Sequence, residues 1–138
     1  MIDYTNQIHK ALDKVASVIT KETTGVPLSF DENRGNSSFW LQPVSDTSVQ
    51  RFATSQLREY SFLLTYQITT GGQYSENVFK QLSNIAERVK AIFSGTQSST
   101  EDEYFNGVCD SIEYERDEDE TKARANISLT VQRLEVWK

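Results

Sequence analysis

The sequence predicts an α+β domain, a mainly antiparallel sheet with two amphipathic helices on one face, in the order α-β-β-β-α-β-β. Three observations predict it. Tyr60, Phe62, Leu64, Tyr66 and Ile68 alternate with Glu59, Ser61, Thr65, Gln67 and Thr69, with only Leu63 breaking the rule, a period of two that leaves little room for a helix and indicates a half-buried strand. Two stretches, around residues 4–19 and 75–93, carry apolar residues at helical spacing instead. Finally, consecutive strands are joined by short links, which favours antiparallel neighbours.

The elements follow in order. Asp3 is placed to cap a first helix, in which Tyr4, Ile8, Leu12, Val15 and Ile19 form the apolar stripe and Lys10, Asp13, Lys14 and Ser17 the wet side. Thr23-Thr24-Gly25 ends it. Val26, Leu28 and Phe30 alternate with other residues as a short strand, and Asp31–Asn36 is a turn-rich link containing Gly35. Phe39, Trp40 and Leu41 read as a second short strand, stopped by Pro43, a residue without a ladder donor. Ser45–Gln56 has no clear period and reads as a loop or an arm. Leu57–Thr70 is the long strand, broken by Gly71-Gly72.

Ser75 is a candidate N-cap for the second helix, with Glu76 in its first turn. Val78, Phe79, Leu82, Ile85, Ala86, Val89, Ile92 and Phe93 form its stripe, and Gly95 ends it. Thr96–Gly107 reads as a polar loop holding Tyr104 and Phe105. Val108, Ile112 and Tyr114 share a strand face, and Arg116–Lys122 is an acidic hairpin loop. Ala123, Ala125, Ile127, Leu129 and Val131 face inward on the last strand. The apolar parity then flips to Leu134 and Val136, which predicts a β-bulge near Gln132-Arg133.

The chain of 138 residues suits a single domain spanning 1–138. A chain of that size buries roughly two-thirds of its unfolded surface, enough for a core without a metal or disulfide staple. Its only cysteine, Cys109, excludes an internal disulfide. No apolar run reaches the roughly 20 residues of a membrane helix. Met1-Ile2-Asp3-Tyr4 lacks the basic region and apolar run of a signal peptide, so none is expected. The net charge of −6 opposes phosphate binding. Neither sequence-specific nucleic-acid binding nor membrane association is expected.

Catalytic patterns are missing. His9, the only histidine, has no nucleophile or donor placed against it by the sequence. Cys109 lies near Asp110 and Glu113, whose charges oppose a reactive thiolate. Asp117, Glu118, Asp119 and Glu120 suggest calcium, but Lys122 stands where the calcium loop requires glycine and Ser128 where it requires glutamate. Gly71-Gly72 belongs to no phosphate-loop pattern. The chain is therefore read as a non-enzyme with no cofactor and no metal site. The informative residues are apolar ones outside the core stripes: Trp40, Val49, Phe52, Tyr104, Phe105, Leu134, Val136 and Trp137 are the candidate interface.

In length and element order the chain resembles the tail terminator, or tail-completion, proteins of long-tailed phages. The residues carrying the resemblance are Tyr4–Ile19, the long strand Arg58-Glu59-Tyr60-Ser61-Phe62-Leu63-Leu64-Thr65-Tyr66, Ser75–Phe93 and Ala123–Trp137. Ser45–Gln56 has no counterpart in that pattern. The resemblance implies a structural virion protein, made in the host cytoplasm and located in the neck region of the tail. It would form a homo-oligomeric ring, commonly a hexamer, at the head-proximal end of the tail tube. Its partners would be the tail tube protein and the head connector or stopper protein, with DNA passing through the lumen. Other readings stay open: a different head–tail joining or minor tail protein, a small ligand-binding or hydrolytic domain, and a single-stranded nucleic-acid binder.

Overall fold

The computed structural model describes residues 6–23, 25–33, 35–70, 76–95, 98–99, 104–117 and 121–136. Helix α1 spans Gln7–Glu22, followed by strands β1 (Leu28–Ser29), β2 (Ser37–Arg51) and β3 (Ser55–Thr69). Helix α2 (Glu76–Gly95) leads to β4 (Ser98–Ser99), β5 (Tyr104–Arg116) and β6 (Lys122–Val136). The sheet order is β1-β2-β3-β6-β5-β4. All neighbours are antiparallel except β1, which lies parallel to β2 through Leu28 and Ser29. The predicted class and order hold, with the two-residue β4 added.

Alternation on β3 builds the core. Tyr60, Phe62, Leu64, Tyr66 and Ile68 are all buried, as are their register partners Ala123, Ala125, Ile127, Leu129 and Val131 on β6 and Phe39 and Leu41 on β2. Both helices cover this one face. Leu12, Val15 and Ile19 of α1 and Leu82, Ala86, Val89 and Phe93 of α2 are buried in the same cluster. Phe39 and Tyr66 pack ring against ring at 5.2 Å, a contact that adds to area burial.

Several local expectations are corrected. The cap of α1 is Asn6, whose side chain accepts from His9 N at 3.1 Å; Asp3 and Tyr4 lie outside the described residues, as do Gly71, Gly72 and Ser75. Pro43 does not stop β2. Among the described residues nothing pairs with the outer side of β2 beyond Trp40, so Pro43 sits on an edge where its missing N–H costs nothing.

The Ser45–Gln56 segment is ladder, not loop, apart from a reverse turn closed by Phe52 N donating to Ser55 O at 2.8 Å. Two register shifts, between Pro43 and Ser45 and between Ser48 and Gln50, make Val44 and Val49 the extra residues. The bulge expected near Gln132-Arg133 does not exist. β6 pairs with β3 residue for residue from Lys122 to Val136. Tyr104 and Phe105 belong to β5 rather than to a loop. On that strand a shift between Cys109 and Ser111 makes Asp110 the extra residue. Cys109 therefore turns toward the core with Ile112, and Val108, predicted to share the face of Ile112, is exposed.

Candidate assembly surfaces

No described helix or strand covers the face of the sheet opposite the helices, and only the link bearing Asn33 lies against it. The rows of this face are set by register. Ser38–Gln67–Arg124–Glu115 form one row, Trp40–Thr65–Asn126–Glu113 the next, and Gln42–Leu63–Ser128–Ser111 a third. Polar residues dominate because alternation sends every second side chain here.

Thr65 and Gln67 are nevertheless buried, held under a hydrogen-bond net. Thr65 Oγ1 donates to Asn126 Oδ1 at 3.1 Å, and Asn33 Nδ2 donates to the Thr65 carbonyl at 3.2 Å. Arg124 Nε donates to Gln67 Oε1 at 2.8 Å, and its Nη1 reaches Asp117 Oδ1 at 2.6 Å and Glu115 Oε1 at 3.8 Å.

Asn33, Thr65, Glu115, Arg124 and Asn126, with Trp40, line a shallow depression of about 390 Å³. The Trp40 indole N–H is buried there without a partner among the described residues. The depression brings together carboxylates, amides and a guanidinium already satisfied by Asp117, and it holds no histidine, cysteine or other strong nucleophile. Among the described residues no three His, Cys, Asp or Glu side chains are grouped as metal ligands. His9 lies on the other side of the molecule, exposed on α1 and 3.4 Å from Asp13. Cys109 is half-buried. Desolvation first, and the charge of Asp110 next, push its thiol pKa up, away from a thiolate.

The second surface is an extension built mainly of three strands, with Tyr104 and Phe105 of β5 paired to Arg133 and Gln132 where it begins. Where the apolar inner stripe of β6 ends at Val131, β2, β3 and β6 continue as Asp46–Arg51, Ser55–Glu59 and Gln132–Val136. On the side level with the helices this extension is polar. Arg58 Nε donates to Asp46 Oδ1 at 2.8 Å, and that hydrogen bond holds the guanidinium pKa above its ordinary value. Tyr60 Oη donates to Glu135, Gln56 Nε2 donates to Glu135 Oε2 at 3.1 Å, and Arg133 donates to Gln7 of α1.

The apolar parity flip has its explanation here. The strand keeps its phase, but the helices no longer cover it, so the polar residues move to the former core side and Leu134 moves to the open side opposite Leu57. The extension leaves large apolar groups in water: Val49 is 50% exposed, Phe52 46% and Leu134 41%, and Val44, just before it on β2, is 62% exposed.

The predicted interface residues divide accordingly. Val49, Phe52 and Leu134 come together on the extension, with the Val136 backbone opposite Ser55. The Val136 side chain and all of Trp137 lie outside the described residues. Tyr104 and Phe105 pair with Arg133 and Gln132, at the same end of the sheet on its other edge, and their side chains also lie outside the described set. Trp40 is elsewhere, half-buried on the open face. Sequence reasoning missed Val44, Val108 and the exposed pair Phe79–Tyr114, whose rings meet at 5.2 Å. The bulges hid the first two, and an intact helical stripe hid Phe79.

No protein-family profile matches the chain, and no curated protein matches it. Among solved structures, the fold is similar to a chain from the virion of a native gene transfer agent particle, with a TM-score of 0.62, 10% sequence identity, and coverage of 95% of this chain and 99% of that one.

Proposed function

We propose that this chain is a structural virion protein that assembles as a homo-oligomeric ring, a hexamer, at the head-proximal end of a phage-type tail tube. There it ends tube polymerisation and joins the tail to the head connector or stopper. The observation carrying this reading is the fold shared, nearly end to end, with a chain of a gene transfer agent virion. The surfaces are compatible with it. The extension with Val49, Phe52 and Leu134, and Val44 beside it on β2, supply exposed apolar groups for side-to-side contacts. The sheet face opposite the helices carries Glu59 beside Gln132, and Glu113 and Glu115 at the end where Arg124 lies. Turned toward the lumen, that face repels rather than binds phosphate, and DNA passes without sticking.

Disruption of the gene tests the proposal. A tail-ending ring predicts particles whose tails vary in length and lack heads, restored by the parent chain in trans. Tails of normal length that lack heads would assign the chain to another joining position instead. Unchanged particles would refute a structural role.

A further inference from the structure

Resting on the ring reading above, we infer that neighbouring copies meet edge to edge, with Val44 on β2 of one copy against Val108 on β5 of the next. Both side chains are exposed, at 62% and 44%. They mark opposite edges of the sheet at one level. Ser45, Ser61, Thr130 and Val108 form a single cross-strand row over β2, β3, β6 and β5, and Val44 is the extra residue immediately before Ser45. Rotation about a ring axis running along the strands keeps height along that axis, so it brings the β2 end of this row level with the β5 end of the same row in the next copy.

No described residue pairs with either edge at this level. Among the described residues, β1 covers β2 only at Phe39 and Trp40, and β4 covers β5 only at Tyr104 and Phe105.

The alternatives of two-fold symmetry are disfavoured by charge and backbone. A β5–β5 contact would set Asp110, Glu113 and Glu115 against their own copies, and like charges across strands repel. A β2–β2 ladder would be broken by Pro43 and the bulges at Val44 and Val49. A β2–β5 contact avoids the like-charge clash, since the only described acid on the β2 edge, Asp46, is already paired with Arg58 at 2.7 Å. Bulges on both edges make this a contact of side chains rather than a continuous ladder. The strand tilt that a closed barrel demands is therefore not imposed on the ring.

Cysteine cross-linking tests this in a Cys109→Ala background, with particles assembled in the presence of each variant and oxidised before a non-reducing gel. Val44→Cys and Val108→Cys in the same chain should give a ladder of covalent oligomers up to the closed ring. A mixture of chains carrying one substitution each should stop at dimers, and either single variant alone should remain monomeric. Rings that assemble without any cross-link in the double variant would overturn the contact. So would dimers from Val44→Cys alone, which would reveal a two-fold interface. The parent chain without substitutions separates the two claims, because absence of a ring in its particles removes the ring reading itself.

Discussion

Leu64→Ala is the substitution whose cost follows most directly from the structure. Leu64 is fully buried, and its direct neighbours across the ladder, Leu41 on β2 and Ile127 on β6, are fully buried too. Truncation removes three carbons, worth roughly 2.4 kcal/mol at about 0.8 kcal/mol per buried group. The remaining cost depends on how far the surroundings close over the gap. Here β3 is held by continuous ladders on both sides, and the helices are fixed by the rest of the cluster, so closure is limited. The loss should therefore fall in the upper part of the Leu→Ala range, about 3–5 kcal/mol. With a urea dependence of about 2 kcal/mol per molar, the unfolding midpoint should drop by roughly 1.5–2.5 M. Equilibrium unfolding followed by circular dichroism measures this. A loss below about 1 kcal/mol would mean that Leu64 is not enclosed on the helix-covered face, and the core assignment would be wrong.

Other outcomes follow from the same geometry. Phe52→Ser with Leu134→Asp should leave stability within about 0.5 kcal/mol of the parent, because both side chains are exposed, while incorporation into particles, read by immunoblot, should be lost. His9→Ala and Cys109→Ala should each retain incorporation and function, and loss of function in a variant that folds and assembles would contradict a purely structural role. Because burial and Asp110 raise the Cys109 pKa, the folded thiol keeps its proton to higher pH than the unfolded one. Its contribution is thus fully present below the ordinary thiol range and is lost as pH rises through the folded value. Unfolding midpoints compared between about pH 7 and about pH 10 should fall more steeply for the parent than for Cys109→Ala.

The helix-covered half of the molecule was legible because its burial is one-sided. Tyr60 to Ile68 and Ala123 to Val131 alternate between a dry face and a wetter one, and alternation in sequence follows. The extension was illegible for the converse reason. Asp46–Arg51 is exposed on both faces, so no period of two is selected, and the extra residues Val44 and Val49 break what remains. Pro43 misled because a sequence does not say which strand is an edge. The parity flip at Leu134 admitted two causes, a bulge or the end of helix cover, and the residues alone do not choose between them. Val108 does not share the face of Ile112 because of one residue, the Asp110 bulge, and Cys109 takes that place. Of the interface candidates, Val49, Phe52 and Leu134 were findable as apolar groups outside any stripe, whereas Val44 and Val108 needed the register.

Cryo-electron microscopy of the intact particle tests the central claim most directly. The expected density is a single ring of this chain between the tail tube and the head connector, with the face bearing Glu113 and Glu115 toward the lumen and the Val44 edge of each copy beside its neighbour. Density for the chain at any other position, or copies that make no contact with one another, would contradict it.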